Sequence, residues 1–286
     1  MSIFTGSAAF QGIFLPRGGI VKLVDALEHA VRQYGGEIAT RSPVKKITIS
    51  NGKANGVILQ NGEAISAHQV VSNVDALTTF FTMVGEEHLP SAYAKQLKQL
   101  DVAHSAFNVF LGVKGEGLHL EEMAPTIFVY PDYDLDGIYD AMMRGEIEKA
   151  SFCIGIPTLV NRSMAPEGHH VLIVYVPIPY HLSGVDWMQD KEEFTRRVIN
   201  MVEKVIPGLR KNIVVTEAAT PQTLIRYTGN TGGAVAGWSF TPEVDLRRPQ
   251  NKTPIDGLYL AGHWTVPGPG TGSAMLSGFI TASLIQ

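Results

Sequence analysis

The stretch from Asp256 to Gln286 constrains the fold more than any other. Asp256-Gly257 is a turn dipeptide, Leu258-Tyr259-Leu260-Ala261 is a short apolar run of buried-strand type, and Gly262 ends it where a side chain would intrude. Pro267-Gly268-Pro269-Gly270-Thr271-Gly272 follows, too constrained and too poor in donors for a strand. From Ser273 the pattern turns helical, with Met275, Phe279 and Ala282 on one face and Leu276, Ile280 and Leu284 beside them. Strand, glycine loop and helix start together suit an anion or an electron-rich ring, because free backbone N–H groups and the positive end of the helix dipole point there. Ser273, Ala274, Ser277, Gly278, Thr281 and Ala282 are small enough to let another backbone or a flat cofactor come close. Spacing alone leaves a plain buried terminal helix behind a tight loop as an equal reading.

Upstream, residues 1–15 are small and apolar without a clear period, and Pro16-Arg17-Gly18-Gly19 breaks the chain. Ile20, Leu23, Val24, Leu27, Val31 and Tyr34 then recur at helical spacing, with Gly35-Gly36 as the C-terminal stop. Glu37 to Thr40 reads as a short strand. Val44 to Ile49, Ala54 to Leu59 and Ala64 to Val71 are strand-like and are joined by Asn51-Gly52 and Asn61-Gly62. Asn-Gly is the strongest short hairpin signal, so a three-stranded antiparallel meander is predicted.

From Ala76 the pattern changes. Runs at Ser105 to Val113, Thr126 to Tyr130, Phe152 to Ile156, His170 to Val176 and Ile213 to Thr216 alternate with polar or helical pieces, which predicts a mostly antiparallel α+β layer. One helix inside it is signalled by Asp190 as N-cap, Glu193 three residues on, and Phe194, Val198, Met201, Val202 and Val205 on one face. The change of pattern separates residues 1–75 from the layer that follows.

The 286 residues, 45% apolar, suffice for one large core or two modest ones and read as globular and soluble. A net charge of −4 without long basic runs disfavours nucleic acid as a partner. The single cysteine, Cys153, excludes an intrachain disulfide, fits a reducing, cytoplasmic setting and reads as a small packed residue. Met1-Ser2-Ile3-Phe4-Thr5 has no basic region followed by a long apolar core, so no signal peptide is expected. Val171 to Val176, the longest apolar stretch, falls far short of the ~20 residues of a spanning helix, which leaves peripheral membrane contact open.

Several chemical motifs fail on inspection. Asp132-Tyr133-Asp134-Leu135-Asp136-Gly137 opens like a calcium loop, but the twelfth position is Met143 where a bidentate carboxylate is needed. His169-His170 on one strand would point to opposite faces, poor geometry for a shared metal. No His-Glu-x-x-His, Gly-x-Ser-x-Gly or Walker loop is present, so no metal site and no hydrolase or phosphoryl-transfer centre is predicted.

Residue identities go further than spacing. Gly257-Leu258-Tyr259-Leu260-Ala261-Gly262, Pro267-Gly268-x-Gly270-x-Gly272 and Ser277-Gly278 resemble the C-terminal flavin motif of the bacterial-type phytoene desaturase, carotenoid isomerase and retinol saturase family. Pro16-x-Gly18-Gly19, the helix, Pro43-Val44, the Asn-Gly hairpins, Val70 to Ala76, Ala165-Pro166-Glu167-Gly168-His169, Arg226-Tyr227 and Gly232-Gly233 extend the likeness over nearly the whole chain. The resemblance implies an FAD-dependent desaturase, saturase or isomerase acting on an apolar polyene such as a carotenoid or retinoid. It implies FAD contacts from the Val44 backbone and from Gly262, His263, Pro267, Gly268, Gly270, Thr271, Gly272, Ser273 and Ala274. Gly18, Gly19 and Trp264 become candidates on the substrate side, with a helix-entry turn for the glycines and simple packing for Trp264 as open alternatives. No acid or base is singled out.

Such a flavoprotein also carries strand, Gly-x-Gly-x-x-Gly, helix for the FAD pyrophosphate. The Gly-x-Gly starts at Gly115, Gly268 and Gly270 are followed, three residues past the second glycine, by Leu120, Ser273 and Met275, so none completes that motif. The fold class expected is therefore α/β and α+β: a partial FAD-binding Rossmann-like domain of glutathione-reductase type lacking its first βαβ unit, beside an antiparallel-sheet substrate domain. Two functions remain open, a C-terminal fragment that works with an N-terminal half, and a non-catalytic remnant or subunit that binds an apolar ligand or a partner chain without FAD. An exposed sheet edge would favour association, including self-association.

Overall fold

The computed structural model describes Phe14 and residues 16–285; the readings made for Met1 to Thr5, and for residues 1–15 apart from Phe14, lie outside the described residues. The meander forms as β1 (Val44–Ser50), β2 (Lys53–Leu59) and β3 (Ala64–Ser66), all antiparallel. Its first turn takes positive φ at both Asn51 (51°) and Gly52 (75°), the pair of left-handed residues that a two-residue hairpin requires. At the second turn the Asn61 side chain instead accepts from the Glu63 N–H at 3.0 Å and only Gly62 takes positive φ.

Two expected strands come out differently. Ala64 to Val71 divides, because after β3 the chain leaves the meander and forms β4 (Val70–Ser72), which pairs in parallel with β10 (Leu258–Leu260). Glu37 to Thr40 is not a strand; the segment is exposed and no neighbouring strand among the described residues supplies the hydrogen bonds that extended backbone needs.

The larger sheet has the order β6 (Thr126–Val129), β7 (Phe152–Gly155), β8 (His169–Ile178), β5 (Ser105–Lys114) and β9 (Ile213–Ala219), all antiparallel. Period-two alternation decides its faces. Phe107, Val109, Leu111 and Val113 of β5 and Leu172, Val174, Val176 and Ile178 of β8 point one way and are buried against α4 (Lys191–Val205), which contributes Phe194, Val198, Met201 and Val202. Each such side chain contributes roughly 1.5–3 kcal/mol by leaving water. Asp190 does not cap α4; its carboxylate accepts from the Asp186 N–H at 2.7 Å instead. The opposite face of the sheet carries Asn108, Phe110, Ile173, Tyr175 and Pro177, and it forms a wall of the site described below.

A second core gathers Ile47, Ala54, Phe80, Leu97, Trp238, Ile255, Leu258, Leu260 and Trp264. The meander is tied to it by the Ala54 N–H, which donates to the Asp256 carbonyl at 2.8 Å, and the Val70 N–H does the same to Gly257 at 2.8 Å.

Two helices carry apolar faces that nothing covers among the described residues. On α1 (Val21–Gln33) no residue is buried, although Ile20, Val21, Val24, Leu27 and Val31 line one side. The last helix, α8 (Thr271–Ile285), begins two residues before the predicted start and is turned inside out relative to a buried terminal helix. Ser273, Ser277 and Thr281 are its buried residues, while Met275, Leu276, Phe279 and Leu284 are exposed. Hydroxyl chemistry explains the orientation. Ser277 Oγ accepts from the Gly262 N–H at 2.6 Å, Thr281 Oγ1 donates to the Leu260 carbonyl at 2.8 Å, and the buried Asn251 amide donates to the carbonyls of Leu260 and Ser277 and to Thr281 Oγ1.

Candidate functional site

The glycine loop is built from β10 outward. Gly262 leaves the strand at φ 93°, and a side chain there would overlap Asn73 Oδ1, so the expectation that Gly262 marks a close approach is met by contact with the end of β4. The Gly262 N–H is held by Ser277 of α8, which fixes the loop against the helix. His263 and Trp264 follow, then the loop runs through a cis Val266-Pro267 bond, Gly268 and Gly270 into α8. Arg248, 3% exposed, lies over Gly268, where an added Cβ would stand 3.4 Å from its guanidinium carbon. Its charge is partnered by Asp245 at 2.7 Å, and a second nitrogen reaches the His263 carbonyl at 3.4 Å.

The start of α8 has donors to spare. Ala274 N–H reaches the Gly270 carbonyl at 2.9 Å, whereas the N–H groups of Thr271, Gly272 and Ser273 find no acceptor among the described residues. Among the described residues Ser273 Oγ is buried without a hydrogen-bond partner, and an added Cβ at Gly272 would meet nothing within 4 Å. A buried hydroxyl without a partner, free helix-end donors and open space beside a glycine fit a flat, electron-rich group better than they fit a closed core.

The segment after β4 joins this loop to the rest of the chain. Asp75, 1% exposed, accepts from the Thr78 N–H at 2.8 Å and from the Thr231 N–H at 2.7 Å. Next to Thr231, the Asn230 amide donates to the Ala234 carbonyl at 3.0 Å and faces His263 Nε2 at 3.5 Å, while its oxygen accepts from the Trp264 indole at 3.1 Å. Burial pushes the His263 pKa down; Asp75 works against that shift and Arg248 adds to it. A neutral imidazole accepting from Asn230 agrees with this balance. Trp264 is 1% exposed and packs edge to face on Trp238.

Thr231 and Gly232 also line a cleft of about 1020 Å³. Its other walls are the segment Val102 to His104, α3 (Leu135–Met143), Tyr175 and Pro177 of β8, Tyr180, and Ser239 to Thr241. The lining is predominantly apolar and aromatic, and the volume lies at the upper end of the ~300–1,000 Å³ typical of small-molecule sites. The structure therefore places one end of an apolar cleft against the loop that braces His263 and Trp264.

The other candidates lie apart. Val44 opens β1 opposite Leu59, and Gly18 and Gly19 form a turn with φ of 86° and 89° whose Gly18 carbonyl accepts from Asn161 at 3.1 Å. No hydrogen bond among the described residues joins these three to the glycine loop. Sequence reading missed Asp75, Asn230, Arg248, His104 and Tyr175. The Asn73-Val74-Asp75 and Gly232-Gly233 stretches drew notice as part of the resemblance, but a bridge between Asp75 and Thr231 spans 156 positions and leaves no local signature. Asp132 and Asp134 accept from N–H groups of their own turn, and no cluster of metal-binding side chains occurs among the described residues.

A family model described as flavin containing amine oxidoreductase matches residues 4–286. The chain belongs to this family. Within it, the chain is 32% identical to a chloroplastic prolycopene isomerase of Daucus carota over 96% of its own length and 44% of the relative's. It is 30% identical to a neurosporene-forming phytoene desaturase of Rhodobacter capsulatus, over 96% of its own length and 54% of the relative's. These relatives bear out the likeness to carotenoid desaturases and isomerases. The chain spans about half the length of the curated relatives it matches. Among solved structures, an oxidoreductase from Methanosarcina mazei superimposes with a TM-score of 0.64 at 21% identity, covering 94% of this chain and 55% of the other. That likeness shows a shared mixed α/β fold with antiparallel sheets.

Proposed function

We propose that this chain supplies the isoalloxazine wall and the substrate cleft of an FAD-dependent oxidoreductase acting on a long apolar polyene such as a carotenoid, and that further polypeptide completes it. The observation that carries the reading is that Thr231, in the lining of the apolar cleft, directly follows Asn230, which is hydrogen-bonded to the glycine loop at His263 and Trp264. In this reading 1–75 with 251–286 form a partial FAD-binding Rossmann-like domain, and 76–250 form the substrate domain. The parallel pair β4 and β10 is the remnant of the central sheet, and β4 has no second neighbour among the described residues. A first βαβ unit carrying Gly-x-Gly-x-x-Gly would add there and cover the apolar faces of α1 and α8.

Bound flavin supplies hydride chemistry that no side chain of this protein offers. The chain's own task is to position and polarise. Gly268, Gly270 and Gly272 would let the ring approach backbone, while Thr271, Gly272 and Ser273 would present N–H groups and the helix dipole to negative charge, with Ala274 closing the first helical turn beneath them. Gly262, His263 and Pro267 would hold the loop, the Val44 backbone would meet the adenine edge, and Gly18 and Gly19 would stand on the substrate side. Trp264 acts from behind by packing. Peripheral contact with a lipid surface falls to the cleft mouth, where Tyr130, Leu135 and Tyr139 are more than half exposed. No helix among the described residues is long and apolar enough to cross a membrane.

The test is coexpression with a polypeptide bearing a relative's strand, Gly-x-Gly-x-x-Gly and helix. Flavin that stays with the complex through gel filtration, together with a changed carotenoid absorption spectrum, supports the reading. A colourless complex that still binds the polyene supports the alternative, a ligand-binding subunit without FAD.

A further inference from the structure

The cleft has an apolar lining, yet a hydrogen-bonded pair is set into it. Tyr175 stands on β8 at the centre of the large sheet, and its hydroxyl lies 3.1 Å from His104 Nε2. Both residues line the cleft, His104 coming from the segment just before β5. Burial pushes the Tyr175 phenol up to about 12 and pushes His104 down, so both groups are neutral at neutral pH. A neutral pair of this kind has two orientations. When Tyr175 donates to His104, the phenol oxygen keeps lone pairs for an incoming hydroxyl; when His104 donates to Tyr175, the phenol proton is free for an incoming carbonyl. A hydrocarbon satisfies neither, and in dry surroundings an unmade hydrogen bond costs more than it does in water.

We propose that the His104–Tyr175 pair is a specificity-determining polar anchor, selecting within the cleft those long apolar ligands that carry a hydroxyl or carbonyl oxygen at one end. This inference rests on the reading of the cleft as a polyene site and narrows the class of ligand it takes. Tyr130 and Tyr139 are less suited to the role, being 57% and 56% exposed, where water competes for their hydroxyls. Tyr175 has the fixed geometry of a central strand behind it, with Cys153 directly across on β7.

The experiment is equilibrium binding to the full chain, followed by quenching of its tryptophan fluorescence. The probes are all-trans-retinol, all-trans-retinal and the parent hydrocarbon in which a methyl group replaces the terminal hydroxymethyl. The wild-type chain is expected to bind the alcohol and the aldehyde roughly 5- to 10-fold more tightly than the hydrocarbon, the range of one net hydrogen bond. Tyr175→Phe keeps the ring and its packing and should bring all three affinities together at the hydrocarbon's level, with an unchanged circular dichroism spectrum. Equal wild-type affinity for the three probes, or a preference that survives Tyr175→Phe, overturns the anchor while leaving the polyene site intact. Failure of all three to bind overturns both. If Tyr175→Phe does not fold, the wild-type ratio of alcohol to hydrocarbon decides alone.

Discussion

Trp238 donates its indole N–H to the main-chain carbonyl of Trp264 at 2.9 Å, and the two rings meet edge to face with centroids 5.0 Å apart at 84°. Both are almost fully buried, and together they join the segment beside the cleft to the glycine loop. Trp238→Phe leaves the Trp264 carbonyl without its donor and is expected to destabilise the protein by about 1–3 kcal/mol. Trp238→Ala should cost about 3–5 kcal/mol. Urea unfolding followed by circular dichroism measures both.

Tyr93 packs its ring edge to face on Phe80, but its hydroxyl is buried with no partner among the described residues, and burial pushes its ionisation far above the usual phenol range. Tyr93→Phe removes an unmet donor without changing the packing. It is expected to stabilise the fold by about 1 kcal/mol, seen as a higher urea midpoint at unchanged slope.

His104 and His263 both have pKa values lowered by burial, so the folded protein favours their neutral forms. The unfolded chain binds protons at about pH 6.5 and the folded chain only below that, so stability rises with pH across this interval. Their contribution is fully present above about pH 6.5 and is lost as pH falls through the lower folded values. Urea midpoints taken from pH 8 down to pH 5 should be flat and then drop, and the double variant His104→Gln, His263→Gln should flatten the drop. The neighbours that set the size of the effect at His263 are Asp75, which opposes the shift, and Arg248, which adds to it.

Gly262 combines positive φ with a wall formed by Asn73. Gly262→Ala is therefore expected to cost at least about 1–3 kcal/mol of backbone strain, and Asn73→Ala in the same chain should recover only the part due to overlap. A double-mutant cycle on urea midpoints separates the two.

The apolar faces of α1 and α8 predict association. Sedimentation velocity should show self-associated species for the wild-type chain and a shift toward monomer for Leu27→Ser with Phe279→Ser, because both side chains are exposed and their loss leaves no cavity.

Much of the fold was legible because its signals are local. Asn51-Gly52 needs two left-handed residues and only one kind of hairpin provides them, and the alternation in His169–Ile178 names the buried face of β8 residue by residue. Gly262 was legible as a close approach, though not the identity of the atom that comes close. What stayed hidden was set by distant partners. The fate of Val70 to Ser72 depends on Leu258 to Leu260, nearly two hundred residues away, and hydrophobic pattern alone cannot choose between β10 and β2. The orientation of α8 was legible only in its small residues, for a related reason. Helical periodicity assigns the apolar stripe to the interior, whereas Ser277 and Thr281 have backbone partners on β10 and turn that stripe outward. The cleft was invisible because its lining comes from many separate stretches, none of them unusual in composition.

The central claim is that residues 262–274 form one wall of a flavin site, and Gly272 tests it most directly. Its φ is not in the left-handed region and an added side chain would enter open space, so Gly272→Leu should fold with unchanged circular dichroism and an unchanged urea midpoint. FAD titrated with the complex of the wild-type chain and a polypeptide bearing a relative's strand, Gly-x-Gly-x-x-Gly and helix is expected to show a saturable rise in fluorescence anisotropy, and the Gly272→Leu complex should require at least about ten times more protein for the same rise, a loss of about 1.4 kcal/mol. No saturable rise with the wild-type complex, or the same curve for both complexes, would contradict the account.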